Sequence, residues 1–331
     1  MCSLRLKRSL FYSRVEAGFD LVVIGGGPAG IGAALQASRL GLKTILVADR
    51  LGGLLTEAWL IDNYLGFSRI EASRLLNKFI EHLAGMNVPV LLDYAEGFSG
   101  SNCSFTVRTR RGSKLAAKAI IVAIGLKRRK LGVPGEEEYV GKGVSYCAVC
   151  DAPLYRGAKA VAVIGGGDSA IQSALLLSSY ANRVYIVHRR EEYRALKSLV
   201  EAMRSKNNIV ELKPCRVKRI IGNGSRVKAL ELVCREGETR IVEVDGVFIE
   251  VGFEPNRDWA IRNKLKTDED GYIVVDEWMN TNIPGVFAAG DCTSLWKGYR
   301  QIQLAVAMGF VAAYSAYQHI QRCFSLGCSK S

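Results

Sequence analysis

Residues 160–190, AVAVIGGGDSAIQSALLLSSYANRVYIVHRR, align without a gap on residues 20–50, DLVVIGGGPAGIGAALQASRLGLKTILVADR. Gly165 stands 140 positions after Gly25, and Arg190 stands 140 after Arg50. Each copy has the same plan: a short apolar run, a glycine turn, an Ala/Leu-rich stretch and a second apolar run. Apolar runs of this kind suit strands buried on both faces of a parallel sheet. In the first copy residues 19–24 form the strand, Gly25-Gly26-Gly27-Pro28-Ala29-Gly30 the turn, and a helix is expected as far as Leu40, closed by Gly41. Gly25 allows the tight turn, Gly27 lets a pyrophosphate approach the backbone, and Gly30 lets helix and strand pack closely, with the helix N-terminus facing the phosphates. Two copies of one mononucleotide-binding unit imply two dinucleotide sites and an α/β fold with two Rossmann-like domains.

The copies differ at the end of their second strand. The first, residues 44–47, leads to Asp49, where a ribose hydroxyl needs an acceptor. The second leads to His188-Arg189-Arg190, with Arg194 four residues on. Arginines hold a 2′-phosphate by charge-assisted bonds, so the second site should prefer NADPH to NADH. The alternative is arginines as plain surface charge.

Between the copies lies GVSYCAVCDAP, with Cys147, Cys150 and Asp151. Two thiols separated by two residues close a disulfide readily, and a carboxylate directly after the second can move a proton during exchange. The same spacing could be half of a zinc site, but there is no second Cys-x-x-Cys and no His pair at ligand spacing, so no metal is expected. Two unrelated buried cysteines are the third reading.

Elsewhere, Leu51-Gly52-Gly53-Leu54-Leu55-Thr56 is a glycine turn, followed by IDNYLGF with Asn63. Residues 71–85 read as an amphipathic helix, and 88–95, 103–110 and 114–124 as strands, the last passing Ala123 to Gly125. The stretch 125–135, with Lys127-Arg128-Arg129-Lys130, reads as a linker. Strands are expected over 208–250 and 286–289, then Gly290-Asp291-Cys292, and Arg300-Gln301-Ile302 opening a helix to about 322. An Asp after a buried strand can accept from a sugar-phosphate chain, and a helix N-terminus can face a ring that gains negative charge on reduction.

The 331 residues suffice for two cores, and 23% charged with 49% hydrophobic residues is a globular composition. No apolar run is long enough for a membrane span. The net charge of +13 is read as a solvated basic surface or a docking face for an acidic partner. Nucleic acid is not expected, because aromatics do not interleave with the basic residues. Nine cysteines, at 2, 103, 147, 150, 215, 234, 292, 323 and 328, do not read as a secreted disulfide framework, and a cytoplasmic location is expected. Cys292 is expected to be buried, and Cys323 with Cys328 is a minor candidate for a second relay. Residues 1–17 are read as a flexible extension, with organellar targeting as a weaker alternative.

GGGPAG, GVSYCAVCD, GGGDSA with HRR and Arg194, GFEPN, and AAGDC with Arg300-Gln301 occur in one order. Over residues 18–322 the chain resembles the low-molecular-weight thioredoxin reductases of the pyridine-nucleotide disulfide oxidoreductase group. The resemblance implies an FAD-binding domain from 1–125 and 253–331, with an NADPH-binding domain, 126–252, inserted and carrying the Cys pair. It places FAD against Gly25, Gly27, Pro28, Ala29, Gly30, Asp49, Gly52, Gly53, Leu54, Asn63, Ala123, Gly125, Gly290, Asp291, Arg300, Gln301 and Ile302. NADPH falls to Gly165, Gly166, Gly167, Asp168, Ser169, His188, Arg189, Arg190 and Arg194. Electrons would pass from NADPH through FAD to Cys147–Cys150 and on to thioredoxin or a thioredoxin/glutaredoxin-like protein. By the same resemblance Cys150 faces the flavin, Asp151 is the acid–base residue and Cys147 attacks the partner. A homodimer and hinges near 126–130 and 250–254 are implied as well. Leu54 departs from the family, where a polar residue often follows the glycines. Other flavoenzymes of this shape are the rivals: a ferredoxin reductase would lack the Cys pair, and a peroxide-reducing flavoprotein would carry an added thioredoxin-like module. A non-catalytic redox sensor is the rival from another class.

Overall fold

The computed structural model describes residues 11–12, 16–58, 60–297 and 299–325. The chain divides into two compact units, Met1–Lys127 with Pro255–Ser331, and Arg128–Glu254.

The first unit opens with β1 (Phe11–Tyr12), β2 (Glu16–Gly26), α1 (Pro28–Arg39) and β3 (Thr44–Leu51). After two short strands, β4 (Leu60–Ile61) and β5 (Ile70–Glu71), come α2 (Ala72–Gly85), β6 (Val90–Leu92), β7 (Ala95–Ser101), β8 (Ser104–Thr109) and β9 (Lys114–Val122). Seven of these strands form one sheet in the order β1-β6-β3-β2-β9-β8-β7, and β4 and β5 pair with each other. In β2, Leu21 to Ile24 lie in parallel register between Thr44 to Val47 and Ala119 to Val122. All are buried, which is why these runs are apolar throughout rather than alternating. Part of the expected extension is strand, since Phe11–Tyr12 pairs with β6 and β2 begins at Glu16. Main-chain pairing to a sheet edge needs no particular side chains, so composition did not signal it. Residues 1–10 and 13–15, with any targeting segment they hold, lie outside the described residues.

The segment β10 (Leu126–Arg128) leads to the second unit. This contains β11 (Val144–Ser145), α3 (Ala148–Asp151), β12 (Val161–Gly165), α4 (Asp168–Leu177), β13 (Val184–Val187), α5 (Lys197–Arg204) and β14 (Ile209–Leu212). It continues through β15 (Arg216–Gly222), β16 (Val227–Val233), β17 (Thr239–Glu243) and β18 (Gly246–Glu250). A parallel sheet runs β11-β18-β12-β13-β14, and β15-β16-β17 form a separate antiparallel sheet. The helix α4 stops at Leu177, shorter than its counterpart in the first copy, where Ser178 caps it.

The chain returns through β19 (Phe253–Pro255), which pairs with β10. Then come α6 (Arg257–Arg262), β20 (Val286–Ala288) and α7 (Ile302–Ser325), and β20 joins the first sheet beside β9. Small residues let α7 lie against α1: a Cβ at Gly309 would overlap the carbonyl of Ala29. No helix among the described residues is long and apolar enough to cross a membrane.

Besides Cys147–Cys150, the fold closes Cys103–Cys323 and Cys215–Cys234 as disulfides. This corrects the reading of Cys323 as a partner for Cys328, which lies outside the described residues. The partners are 220 and 19 residues apart in sequence, so only the fold brings them together. Replacing Cys215 and Cys234 by alanine is expected to lower the stability of the second unit by about 3 kcal/mol, because the loop they close is then free in the unfolded chain. The urea midpoint, with and without phosphine reductant, measures this.

Candidate functional site

In the first unit the glycine turn joins β2 to α1. Gly25 has φ +118°, and a Cβ there would overlap Ala123 O. A Cβ at Gly30 would overlap Gly25 O, so strand and helix meet through bare backbone. At Gly27, by contrast, an added Cβ would meet nothing nearer than Gly53 Cα at 3.9 Å. The turn is thus closed on its inner side and bare on its outer side, and α1 begins without a side-chain cap. Its first N–H groups fit a pyrophosphate. Gly30→Val is expected to cost on the order of 4 kcal/mol or more, or to prevent folding, through collision with backbone that cannot retreat. Flavin content of the purified variant checks it.

Gly52, Ala123 and Gly290, among the other residues expected to hold FAD, meet this turn. The Gly52 N–H donates to Gly26 O at 2.7 Å, and the Ala123 N–H to Ile24 O at 2.7 Å. A Cβ at Gly290 would lie 2.7 Å from that of Ala29. Leu54 lies in a short 3-10 helix, Gly53–Glu57. Asn63 Nδ2 donates to Gln301 Oε1 at 2.8 Å, and Gln303 Nε2 donates to Asn63 O at 2.7 Å, so segments over 230 residues apart meet just before α7, which starts at Ile302. Asp49 is exposed near the end of β3, its Oδ1 accepting from the Arg50 N–H at 2.9 Å. Burial raises the pKa of Asp291, partly offset by Arg300. The Arg300 guanidinium donates to the Tyr272 hydroxyl, yet its Nε is buried without an acceptor among the described residues. Such an orphan is what an oxygen of a bound group would satisfy. Cys292 is buried as expected, and burial pushes its thiol up to about 12, so it is inert.

The second unit repeats the device. A Cβ at Gly165 would overlap Glu250 O and one at Gly166 the His188 ring, while one at Gly167 would meet nothing within 4 Å. Asp168 Oδ1 accepts from the Leu196 N–H at 2.8 Å, and the Arg194 N–H donates to Gly166 O at 2.8 Å, folding the arginine loop over the turn. Ser169, beside Asp168, lies in the first turn of α4. His188 is buried, and burial lowers its pKa. Its Nε2 lies 3.1 Å from Glu192 O and its ring stacks on Tyr193, so it orders this loop as a neutral ring. Arg189, Arg190 and Arg194 are exposed, and no ion pair engages them among the described residues. Three unpaired cations at the end of β13 fit a 2′-phosphate.

Cys147 and Cys150 form a disulfide with 5.3 Å between Cα atoms, at the start of α3. Cys147 is half-buried and Cys150 exposed. The Cys147 N–H donates to Ser145 Oγ at 3.1 Å, and the Cys150 N–H points at Cys147 Sγ at 3.2 Å, a donor that would favour a Cys147 thiolate once the bond opens. Asp151 donates its N–H to Cys147 O at 3.1 Å. Tyr155 nearby is raised by burial and by the charge of Asp151.

Sequence reasoning missed Glu136. It is 1% exposed, accepts the N–H groups of Leu131 and Gly132 at 3.0 and 2.7 Å, and accepts the Tyr146 hydroxyl at 2.8 Å. It anchors the residue before Cys147. Within the acidic run Glu136-Glu137-Glu138 nothing marks the first as the buried one. Glu250 was also missed: it accepts Ser173 Oγ at 2.9 Å and pairs with Arg128 at 3.4 Å beneath the second turn.

Two glycine turns built for phosphates and a Cys-x-x-Cys disulfide define a nucleotide-dependent disulfide oxidoreductase, and comparison agrees. The chain belongs to the pyridine nucleotide-disulphide oxidoreductase family, whose model matches residues 19–309. It is similar to the thioredoxin reductase of Listeria innocua, 39% identical over 306 residues that cover 92% of this chain and 94% of the relative. The solved thioredoxin reductase of Lactococcus lactis superposes with a TM-score of 0.86 at 36% identity, covering 92% of this chain and 99% of that one. An alkyl hydroperoxide reductase component of Pseudomonas putida is 36% identical over 308 residues, 92% of this chain but 58% of the relative. The chain spans 58% to 60% of the length of the curated relatives named for NADH dehydrogenase and alkyl hydroperoxide reductase. It is thioredoxin reductase-like, with the α/β fold of two Rossmann-like domains seen in those structures.

Proposed function

We propose that this chain is an NADPH-dependent thioredoxin-disulfide reductase, the first unit holding FAD and the second NADPH. The observation that carries the reading is the closed Cys147–Cys150 pair in the same unit as the glycine turn with its three exposed arginines. Bound together, the nicotinamide and the flavin supply the electron pair that opens this disulfide.

The chain's own groups account for the remaining chemistry. Once the pair is reduced, Cys147 Sγ attacks one sulfur of the partner's disulfide, forming a mixed disulfide and releasing the other partner sulfur as a thiolate. Asp151 takes the proton that Cys147 gives up on attack and passes it to this leaving thiolate, and the proton of Cys150 goes to the second partner sulfur in the step that follows. Cys150 Sγ then attacks Cys147 Sγ, which restores the internal disulfide and frees the partner as a dithiol. The partner is thioredoxin or a thioredoxin-like protein. The cytoplasm, where NADPH is supplied, is the proposed compartment, and a homodimer the proposed assembly.

The test is NADPH oxidation by the purified holoprotein with oxidised thioredoxin, or with the disulfide form of a peroxidase, as electron acceptor. Turnover with thioredoxin is expected. Turnover with the peroxidase alone would contradict the partner and favour the activity named for the Pseudomonas putida relative.

A further inference from the structure

The first unit holds a cluster of ligand-type side chains that the dinucleotide reading does not use. Cys103, in the turn between β7 and β8 with φ +68°, is disulfide-bonded to Cys323 near the end of α7, with 6.0 Å between Cα atoms. His319 precedes Cys323 by four residues, so both project from one face of α7. Its Nε2 lies 3.8 Å from Cys103 Sγ, the one hydrogen-bonding contact of the imidazole among the described residues. The donor atoms of all three residues lie within 4.8 Å of one another.

A cross-link by itself has no use for the third donor, yet the imidazole is held in place. The ring meets Phe287 edge-on at 6.3 Å. It also lies over Gly285, where an added Cβ would stand 2.7 Å from Nε2. A neutral imidazole has one ring nitrogen with a lone pair to give to a metal. A tetrahedral zinc ion, with Zn–S of about 2.3 Å and Zn–N of about 2.0 Å, sets sulfur and nitrogen about 3.5 Å apart and two sulfurs about 3.8 Å apart. The observed N···S separation of 3.8 Å is about 0.3 Å longer than this, and the Cα atoms of the two cysteines stand 6.0 Å apart.

We propose that Cys103, His319 and Cys323 form a soft-metal site in the reduced protein, taking one Zn²⁺ through two thiolates and one imidazole nitrogen. A dithiol reductant opens the disulfide and itself becomes a disulfide, leaving two cysteine thiols. These give up two protons as the ion binds, so the Zn²⁺ charge is balanced by two thiolates. Cys103 and His319 are only half-buried, so water can supply a fourth ligand. Metal and disulfide exclude each other, because both use the same two sulfurs.

The test uses the full-length flavin-loaded protein with Cys147→Ser, Cys150→Ser, Cys215→Ser and Cys234→Ser, which removes the other two dithiols that phosphine would release. It is reduced with a phosphine, desalted anaerobically and titrated with Co²⁺. The expected result is a tetrahedral visible spectrum with thiolate charge transfer, saturating at one equivalent and bleached by Zn²⁺. Adding His319→Gln, which leaves the cross-link intact so that folding can be checked before reduction, should weaken binding at least about tenfold. Adding Cys103→Ser should abolish the charge-transfer band. A disulfide that stays closed under excess phosphine, no cobalt spectrum, or a spectrum indifferent to His319→Gln would overturn the proposal.

Discussion

Cys150→Ser is expected to reduce NADPH-dependent turnover of thioredoxin by at least about 10³-fold while leaving flavin content and NADPH binding unchanged. The separation follows from where the residue sits. Cys150 is exposed in α3 and is not among the buried residues, such as Ala148 and Ala152, that pack with Val161 and Val163 of β12. Serine occupies nearly the same space, so the fold should not register the change. What is lost is chemical. Without the second sulfur, Cys147 cannot close the internal disulfide, and a mixed disulfide formed with the partner has no internal thiol to resolve it. Trapping of a covalent complex between the Cys150→Ser variant and thioredoxin, visible on a non-reducing gel, is the qualitative counterpart. Retention of full turnover would exclude the Cys pair from the reaction.

The second large effect concerns the nucleotide. Replacing Arg189, Arg190 and Arg194 together by alanine is expected to lower kcat/KM for NADPH on the order of 10²-fold and to leave that for NADH within about threefold. All three are exposed, so each charge-assisted contact to a 2′-phosphate is screened to about 1 kcal/mol. Three such contacts sum to about 3 kcal/mol, and each 1.4 kcal/mol is tenfold. A structural role predicts a different pattern. The backbone of the loop is held through Asp168, Gly166 and His188 rather than through the three guanidinium groups, so truncating those groups should leave it in place. Equal losses with both nucleotides would show instead that the arginines shape the loop.

Much of the fold was legible because its determinants are local. The run from Leu21 to Ile24 and the glycines at 25, 27 and 30 specify strand, turn and helix within a dozen residues, and the second copy repeats them at constant spacing. The Cys pair was legible for the same reason. What escaped notice depends on distant segments meeting. Cys103 and His319 are 216 residues apart, and nothing in either neighbourhood marks them as partners. Glu136 looks like one acid among three until the fold turns it toward the N–H groups of Leu131 and Gly132. His188 was read with the arginines as an NADPH-binding residue, and nothing in the sequence signalled that its ring is buried against the turn at Gly166. The strand at Phe11–Tyr12 rests on main-chain pairing, which side-chain pattern does not report.

Anaerobic titration of the flavin-loaded protein with NADPH, following the visible flavin band, tests most directly whether the two nucleotide sites and Cys147–Cys150 work as one electron path. Full bleaching should require about two equivalents, one for the flavin and one for the disulfide, falling to about one in Cys150→Ser. Bleaching of the unmodified protein by a single equivalent would mean that the disulfide is not coupled to the flavin and would contradict the proposed reductase.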